Sequence, residues 1–516
     1  MFKLFLRSAF LSITMMPLTA NCQNYLPPVF ADDDRAAKVQ AVMPALDKMY
    51  KEFAENNHFP GYAYGIVLDG KLIHSGSGGY SNIEKKIPAN VQSMFRIASM
   101  TKSFTAMAIV KLRDEGKLRL DDPVSLYIPE MKNQHMLMDS PIITVRDLLT
   151  HSAGLPQDDP WADRYLNKTD AELIAILKSG VTFSNCPETT YEYSNLAYAM
   201  LGLIVKKAAG TSYQAYITEN ILKPLDMKQT AWEFAKIPFN QLAQGYKWDN
   251  GQWVLQEMLH DGSFGAMGGL ITSVEEFSRY VALHQSAWPP REAAETGPLK
   301  RSSMREMHQP YRFIELNTEE DFLTEKMSAR TSGYGYGLKW SKNSDANQMV
   351  GHNGGLPGFG SNWLFMPEHG VGVILLVNST YANAGKINQQ VLNTLVQKAH
   401  LKPRQLPPSR ILQEKQAALI KLLPQWKSAE TSGLFADNFF LDTSLETLKN
   451  QTMDLFTKVG KIIRIGEIIP ENQLRGYFMI EGEKGKLMVG FTLTPENPPL
   501  IQKYQIEEVK NGQETR

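Results

Sequence analysis

Only two of the 516 residues are cysteine, Cys22 and Cys186, so no framework of disulfides can staple this chain. The ten histidines include no His-Glu-x-x-His pair, and the cysteines lack ligand spacing. The sequence therefore holds no readable metal site and implies no cofactor. Charge of one sign is also missing. Lysine plus arginine and aspartate plus glutamate each number 54, which argues against nucleic acid or an anionic membrane surface as partner. Internal repeats and long low-complexity tracts are absent. Beyond the N-terminus no apolar run approaches the roughly 20 residues that span a bilayer. What is present is an ordinary globular composition, 43% hydrophobic and 21% charged, with ample material for a core. At roughly 100–200 residues per domain, the length points to two or more domains.

The N-terminus has its own layout. Lys3 and Arg7 precede an apolar run, Ser8–Leu18, and then the small pair Thr19-Ala20. That is the pattern of a secretory signal peptide. Cleavage after Ala20 is the first expectation and after Ala31 the second. Residues 1–20 are set apart as signal, and the mature chain is expected in the periplasm or outside the cell, with no membrane span. Thr19 and Asn21 fit poorly the positions that precede a lipidated cysteine. Cys22 lies beside the cleavage site, which disfavours a Cys22–Cys186 bridge.

Beyond the signal, Val39, Met43, Leu46, Met49 and Phe53 recur at helical steps. Asp69-Gly70 sits between two apolar runs, a hairpin signal. Helices are expected over 99–115, over 144–151 with Thr144 as cap and Asp147 reaching back, over 196–209, and over 384–400. A second hairpin joins residues 361–366 to 371–377. Strands thus lie early and late, with helices between. Residues 401–409 hold three prolines and read as a linker. After it, Ser444 caps a helix, and strands are expected around 461–469, 476–483, 486–494 and 501–509.

Three segments carry chemistry. In Ser99-Met-Thr-Lys102, serine and lysine are three apart and share one helix face. A serine hydroxyl needs a neighbouring base, and burial favours the neutral amine that could serve as one. The first helical turn also offers unpaired amides to an oxyanion. No other serine here has a lysine three residues on. The plain alternative is a helix cap followed by a surface lysine. In Tyr193-Ser-Asn195, phenol and amide lie two apart and point the same way in an extended loop. The phenol could relay protons, and the amide could hold a substrate carbonyl and orient Lys102. Tyr-x-Asn also occurs at Tyr80 and Tyr381, and aromatic core packing is the plain alternative; order along the chain and the apolar helix that follows favour Tyr193. In Gly351-His-Asn-Gly-Gly-Leu-Pro-Gly, the glycines let backbone approach a ligand. An edge strand here could supply a second oxyanion amide from Gly355, and His352 could bind a carboxylate or support the relay. The alternative is a glycine-rich turn with an incidental histidine.

Ser99/Lys102, Tyr193/Asn195 and His352/Gly354, in this order and with gaps of 94 and 159 residues, resemble the serine β-lactamase and penicillin-binding protein superfamily. The similar branch holds class C β-lactamases, D-alanyl-D-alanine carboxypeptidases and related esterases. Ile143–Pro156 and Gly265–Ser273 also look like segments of that family. The resemblance implies a β-lactamase-like α/β sandwich over residues 36–400, an antiparallel sheet flanked by helices with a helical insertion. After the linker, residues 410–516 form a small α+β module, similar to ketosteroid-isomerase-like folds or to lipocalin-like barrels. The implied activity is acyl transfer by Ser99, Lys102 and Tyr193, with Asn195, His352, Gly354 and Gly355 binding substrate. The substrate is a small molecule or peptide: a cell-wall peptide, a D-amino-acid peptide, an ester or a β-lactam. Where class C enzymes carry Lys-Thr-Gly, this chain has His352-Asn353-Gly354, which weakens the case for a β-lactamase. A non-catalytic scaffold or peptidoglycan-binding protein, or a function seated in the C-terminal module, are the rival readings.

Overall fold

The computed structural model describes residues 25–320 and 327–509. The expected signal peptide, the Ala20 cleavage point and Cys22 lie outside the described residues. Cys186 carries no disulfide to any described residue. The chain divides into two compact units, one of residues 30–404 and one that joins the segment ending at Val29 to residues from 405 onward.

The larger unit is built on a sheet of nine strands: β1 (Gly61–Leu68), β2 (Lys71–Asn82), β3 (Ile87–Pro88), β4 (Arg312–Glu320), β5 (Met327–Tyr334), β6 (Lys339–Asn343), β7 (Gln348–Leu356), β8 (Phe359–Met366) and β9 (Val371–Val377). Their spatial order is β3-β2-β1-β9-β8-β7-β6-β5-β4, and the pairings are antiparallel. Asp69 and Gly70 take left-handed conformations, φ 49° and 79°, which suits a tight hairpin turn. Every residue of β1 and β9 is buried, because both strands lie mid-sheet with apolar layers on both faces.

One face is covered by α1 (Arg35–Asn56) and by the helix Ala384–Lys398, around Leu46, Ile66, Val373 and Leu395. The other face meets the main core, which holds α2 (Thr101–Asp114), α3 (Asn195–Ala209) and α4 (Val274–Ser286). α2 is buried from Thr101 to Val110, and Phe104 stacks on Tyr280 of α4 with ring centroids 3.8 Å apart. Trp363 of β8 is fully buried against Phe277, Tyr280 and His284. Trp363→Ala should therefore cost about 3–5 kcal/mol, read as a lower denaturant midpoint by circular dichroism.

The structure moves several expected boundaries. Ser99 lies in a 3₁₀ turn, Ala98–Met100, and the α-helix proper starts at Thr101. The helix expected over 144–151 is shorter, Val145–Leu149, with a capping box between Thr144 and Asp147. Strands β4 to β6 were not expected, since β4 exposes Phe313 and Leu316 and shows no buried alternation.

In the smaller unit, Ser444 caps a helix, Leu445–Val459. Strands Ile462–Ile465, Arg475–Gly482, Lys486–Leu493 and Ile501–Glu508 pair in sequence order, and Ile469–Asn472 adds to the second of them. Trp426, Phe478, Val489 and Ile501 are in its core. A further helix, Arg410–Leu422, follows the proline-rich segment and buries Leu412 and Leu419; it was not expected from the sequence. Among the described residues, no helix is long and apolar enough to cross a membrane, and no cluster of His, Cys, Asp or Glu could hold a metal.

Candidate active site

Ser99 and Lys102 meet at the buried start of α2. Lys102 is fully buried and Ser99 is 7% exposed, which removes the surface-lysine alternative. The Lys102 Nζ has three oxygen neighbours: Ser99 Oγ at 3.1 Å, Asn195 Oδ1 at 2.6 Å and the Met267 carbonyl at 2.9 Å. Asn195 Nδ2 donates to Asp159 Oδ1 at 3.0 Å, so its Oδ1 is the end that faces the lysine. Both Asn195 Oδ1 and the Met267 carbonyl can only accept. A neutral amine has two hydrogens and one lone pair. With both hydrogens spent on those acceptors, the lone pair is left for the Ser99 hydroxyl. Burial lowers the Lys102 pKa to about 8, against the opposing pull of Asp159, Asp163 and Asp158. The amine thus loses its proton close to neutral pH.

Tyr193 is partly buried, and its phenol lies close enough to Ser99 for that side chain to act on its titration. Its ring centroid lies 5.0 Å from Lys102 Nζ. Burial, aided by the Asp159 charge, holds the phenol well above its usual pKa, so it stays protonated at neutral pH. Ser99 and Lys102 thus form a hydrogen-bonded pair, with the protonated Tyr193 phenol beside it.

Local backbone explains why these groups meet. Ala98 has φ 50°, a left-handed conformation that costs a non-glycine residue roughly 1–2 kcal/mol. It turns the chain so that Ser99 enters the first helical turn. The Ser361 hydroxyl donates to the Ile97 carbonyl at 2.8 Å. A Cβ on Gly354 would lie 2.2 Å from Ser361 Oγ and 2.3 Å from the Ile97 oxygen. Glycine is required there because β7 packs directly on the segment before Ser99. Gly354→Ala should lower kcat/KM by roughly tenfold or more through displacement of that segment, measured against thermal unfolding to separate activity from stability.

β7 lies inside the sheet and is not the edge strand expected. Its pairing with β6 ends, however, at Gly351–Lys339, so residues 352–356 border only β8 and form a local free edge. Leu356 pairs with Phe359 across the two-residue turn Pro357-Gly358. The backbone of Leu356 therefore faces β8, and that of Gly355 faces the free edge.

Other expected binding residues sit behind the site. Asn195 is fully buried and His352 is 2% exposed. His352 Nδ1 is 2.5 Å from the Asn353 carbonyl, so it carries the proton, and Nε2 accepts from the Tyr334 hydroxyl at 2.8 Å. Burial, with the charges of Lys339 and Lys102, pushes its pKa well below the usual histidine range. His352 is thus a neutral ring and not a cation for a substrate carboxylate. Asn195, His352 and Gly354 position their neighbours; neither end of the Asn195 amide is turned to a ligand.

Several contributors were not legible as site residues. Asp158 accepts the amides of Asn195 and Leu196 at 2.6 and 2.9 Å, and so anchors the start of α3. His151 Nδ1 accepts the Ser194 amide at 3.0 Å, and its ring lies 4.4 Å from that of Tyr193. His151 lies in the family-like stretch Ile143–Pro156 and at the end of the expected helix, while Asp158 falls just beyond it. Only their long-range contacts reveal what they hold.

The Beta-lactamase family model matches residues 46–396. "Protein flp" of Staphylococcus aureus strain MW2 is 27% identical over 354 residues, 67% of this chain and 66% of that protein. "Beta-lactamase-like protein 2" of Dictyostelium discoideum is 31% identical over 281 residues, 52% of this chain and 50% of that protein. The chain thus spans just under two thirds of the first of these relatives and half of the second. The solved structure of the octameric penicillin-binding protein homologue from Pyrococcus abyssi shares the fold, with a TM-score of 0.59 at 23% identity over 91% of this chain and 94% of that one.

Proposed function

The chain belongs to the β-lactamase family, and from that premise we propose that it is a serine hydrolase that forms an acyl-enzyme on Ser99. The observation that carries this reading is the fully buried Lys102 amine, whose two other oxygen neighbours are pure acceptors. Ser99 Oγ attacks a carbonyl carbon while its proton passes to Lys102 Nζ. The oxyanion is held by the amides of Ser99, in the first helical turn, and of Gly355, on the free edge. Tyr193 delivers a proton toward the leaving group as the tetrahedral intermediate breaks down, and is re-protonated from Lys102. Water then attacks the acyl ester by the same path reversed.

Carboxyl esters and D-alanyl-D-alanine or D-amino-acid peptides are the proposed substrates. The neutral His352 ring gives no fixed positive charge for a substrate carboxylate, which favours esters and other acyl donors without one over β-lactams and over peptides with a free C-terminal carboxylate. Export, and with it access to cell-wall peptides, is proposed on the N-terminal sequence alone.

The test is a panel of p-nitrophenyl esters, D-alanyl-D-alanine peptides and a chromogenic cephalosporin, assayed between pH 5.5 and 9.5. Turnover of an ester or peptide is expected. The base must be unprotonated, so kcat/KM should rise with pH through an apparent value near 8, losing about tenfold per unit below it. No turnover of any acyl donor, together with no labelling by a fluorophosphonate, would refute the reading.

A further inference from the structure

The Tyr-x-Asn copy at Tyr381, passed over in the sequence because order and context favour Tyr193, lies against Gly355 of the candidate site. Tyr381 lies in the chain between β9 and the helix Ala384–Lys398. A Cβ on Gly355 would lie 2.9 Å from Tyr381 Cδ1 and 3.8 Å from its Cα, so the ring is packed on Gly355. The hydroxyl donates to Asp163 Oδ2 at 2.8 Å. Asp163 is 2% exposed and belongs to the segment, residues 158–163, whose carboxylates act electrostatically on Lys102. The side chain therefore passes across the free edge of β7 from one wall of the site to the other.

Two further facts mark this placement as specified. Tyr381 has φ 50°, a conformation costing a non-glycine residue roughly 1–2 kcal/mol that surrounding contacts must offset. It is also 50% exposed, unlike the buried aromatic residues of the core. An aromatic ring that is half in solvent, strained, and tied at its tip to a buried carboxyl group is not explained by packing alone. It stands against Gly355, at the free edge beside which a substrate carbonyl would sit.

We propose that Tyr381 is the specificity-determining residue of this site: its ring walls the space beside the Gly355 amide, and its bond to Asp163 holds it there, so that small acyl groups enter and bulky ones are excluded. This rests on the acyl-enzyme reading above, in which Gly355 supplies an oxyanion amide. The substrate class it selects is a short acyl ester or amide with little branching next to the carbonyl. Tyr381 acts on the size of what binds, and not on the proton path through Lys102 and Tyr193.

The experiment compares wild type, Tyr381→Ala, Tyr381→Leu and Tyr381→Phe, each checked for folding by thermal unfolding, with p-nitrophenyl acetate and p-nitrophenyl octanoate. In Tyr381→Ala the octanoate-to-acetate ratio of kcat/KM should rise roughly tenfold or more. Tyr381→Phe keeps the ring but not the tether, and should raise the ratio only about two- to threefold. Tyr381→Leu, which fills more space than alanine, should fall between and carries the test if the alanine variant does not fold. A ratio within twofold of wild type in the folded alanine or leucine variant overturns the proposal while leaving Ser99 acylation intact. Absence of ester turnover and of fluorophosphonate labelling in every protein, wild type included, overturns both.

Discussion

Ser99→Ala is expected to lower kcat/KM for the best acyl donor by roughly 10⁴-fold or more, since acyl transfer then has no nucleophile on the protein. The loss should fall on kcat, with KM little changed, because the oxyanion amides and the walls of the site remain. Stability should shift by no more than about 1 kcal/mol. The change removes one hydroxyl from a nearly closed site and leaves the lysine with its two acceptors. A steady-state comparison beside a denaturant titration checks both statements. Retention of more than a tenth of wild-type turnover would remove Ser99 from the mechanism.

Lys102→Met is the second large effect. Methionine fills similar space without a lone pair, so kcat/KM should fall roughly 10²–10⁴-fold, the usual worth of a positioned base. The remaining activity should no longer rise through pH 8, because the group that titrates there is gone. Structure and catalysis pull apart at this position. Burying the amine opposes folding, while its bonds to Asn195 Oδ1 and the Met267 carbonyl favour it. The unfolding free energy is therefore expected to change by no more than about 2 kcal/mol in either direction. A variant that loses activity only because it unfolds would show a much larger stability loss, and one that keeps the rise near pH 8 would place the titrating base elsewhere.

How much of this was legible depends on how far each interaction reaches along the chain. Ser99 and Lys102 were readable because their relation is local, one helical turn, and because Phe104 and its neighbours announce a buried helix. The hairpin at Asp69-Gly70 and the cap at Thr144 were readable for the same reason: turn and cap chemistry sits within four residues. Tyr193 was singled out from its copies by order along the chain, and the same reasoning set Tyr381 aside. The fold returns Tyr381 to the site through two partners, Gly355 and Asp163, that lie 26 and 218 residues away in sequence. No periodicity encodes such a meeting. Asp158 and Asp159 escaped notice because a pair of acids before a proline is ordinary loop chemistry until Asn195 and Lys102 arrive beside it. The free edge at Gly355 was expected from glycine content, but its cause was not. It exists because β6 begins at Lys339 and leaves the end of β7 without a partner, and β6 carries no strong strand pattern of its own. His352 was read as a titrating group near neutrality. Its depth behind the sheet edge, which the sequence does not express, makes it a fixed neutral ring.

The central claim is that a covalent acyl bond forms on Ser99, and mass spectrometry of the protein quenched in acid during turnover of a slow ester tests it most directly. Cleavage after Arg96 and Lys102 releases the peptide Ile97–Lys102. The account predicts the mass of the acyl group on that peptide, assigned to Ser99 by fragmentation and absent from Ser99→Ala. Turnover that proceeds with this peptide unmodified, or with the adduct on another residue, would contradict it.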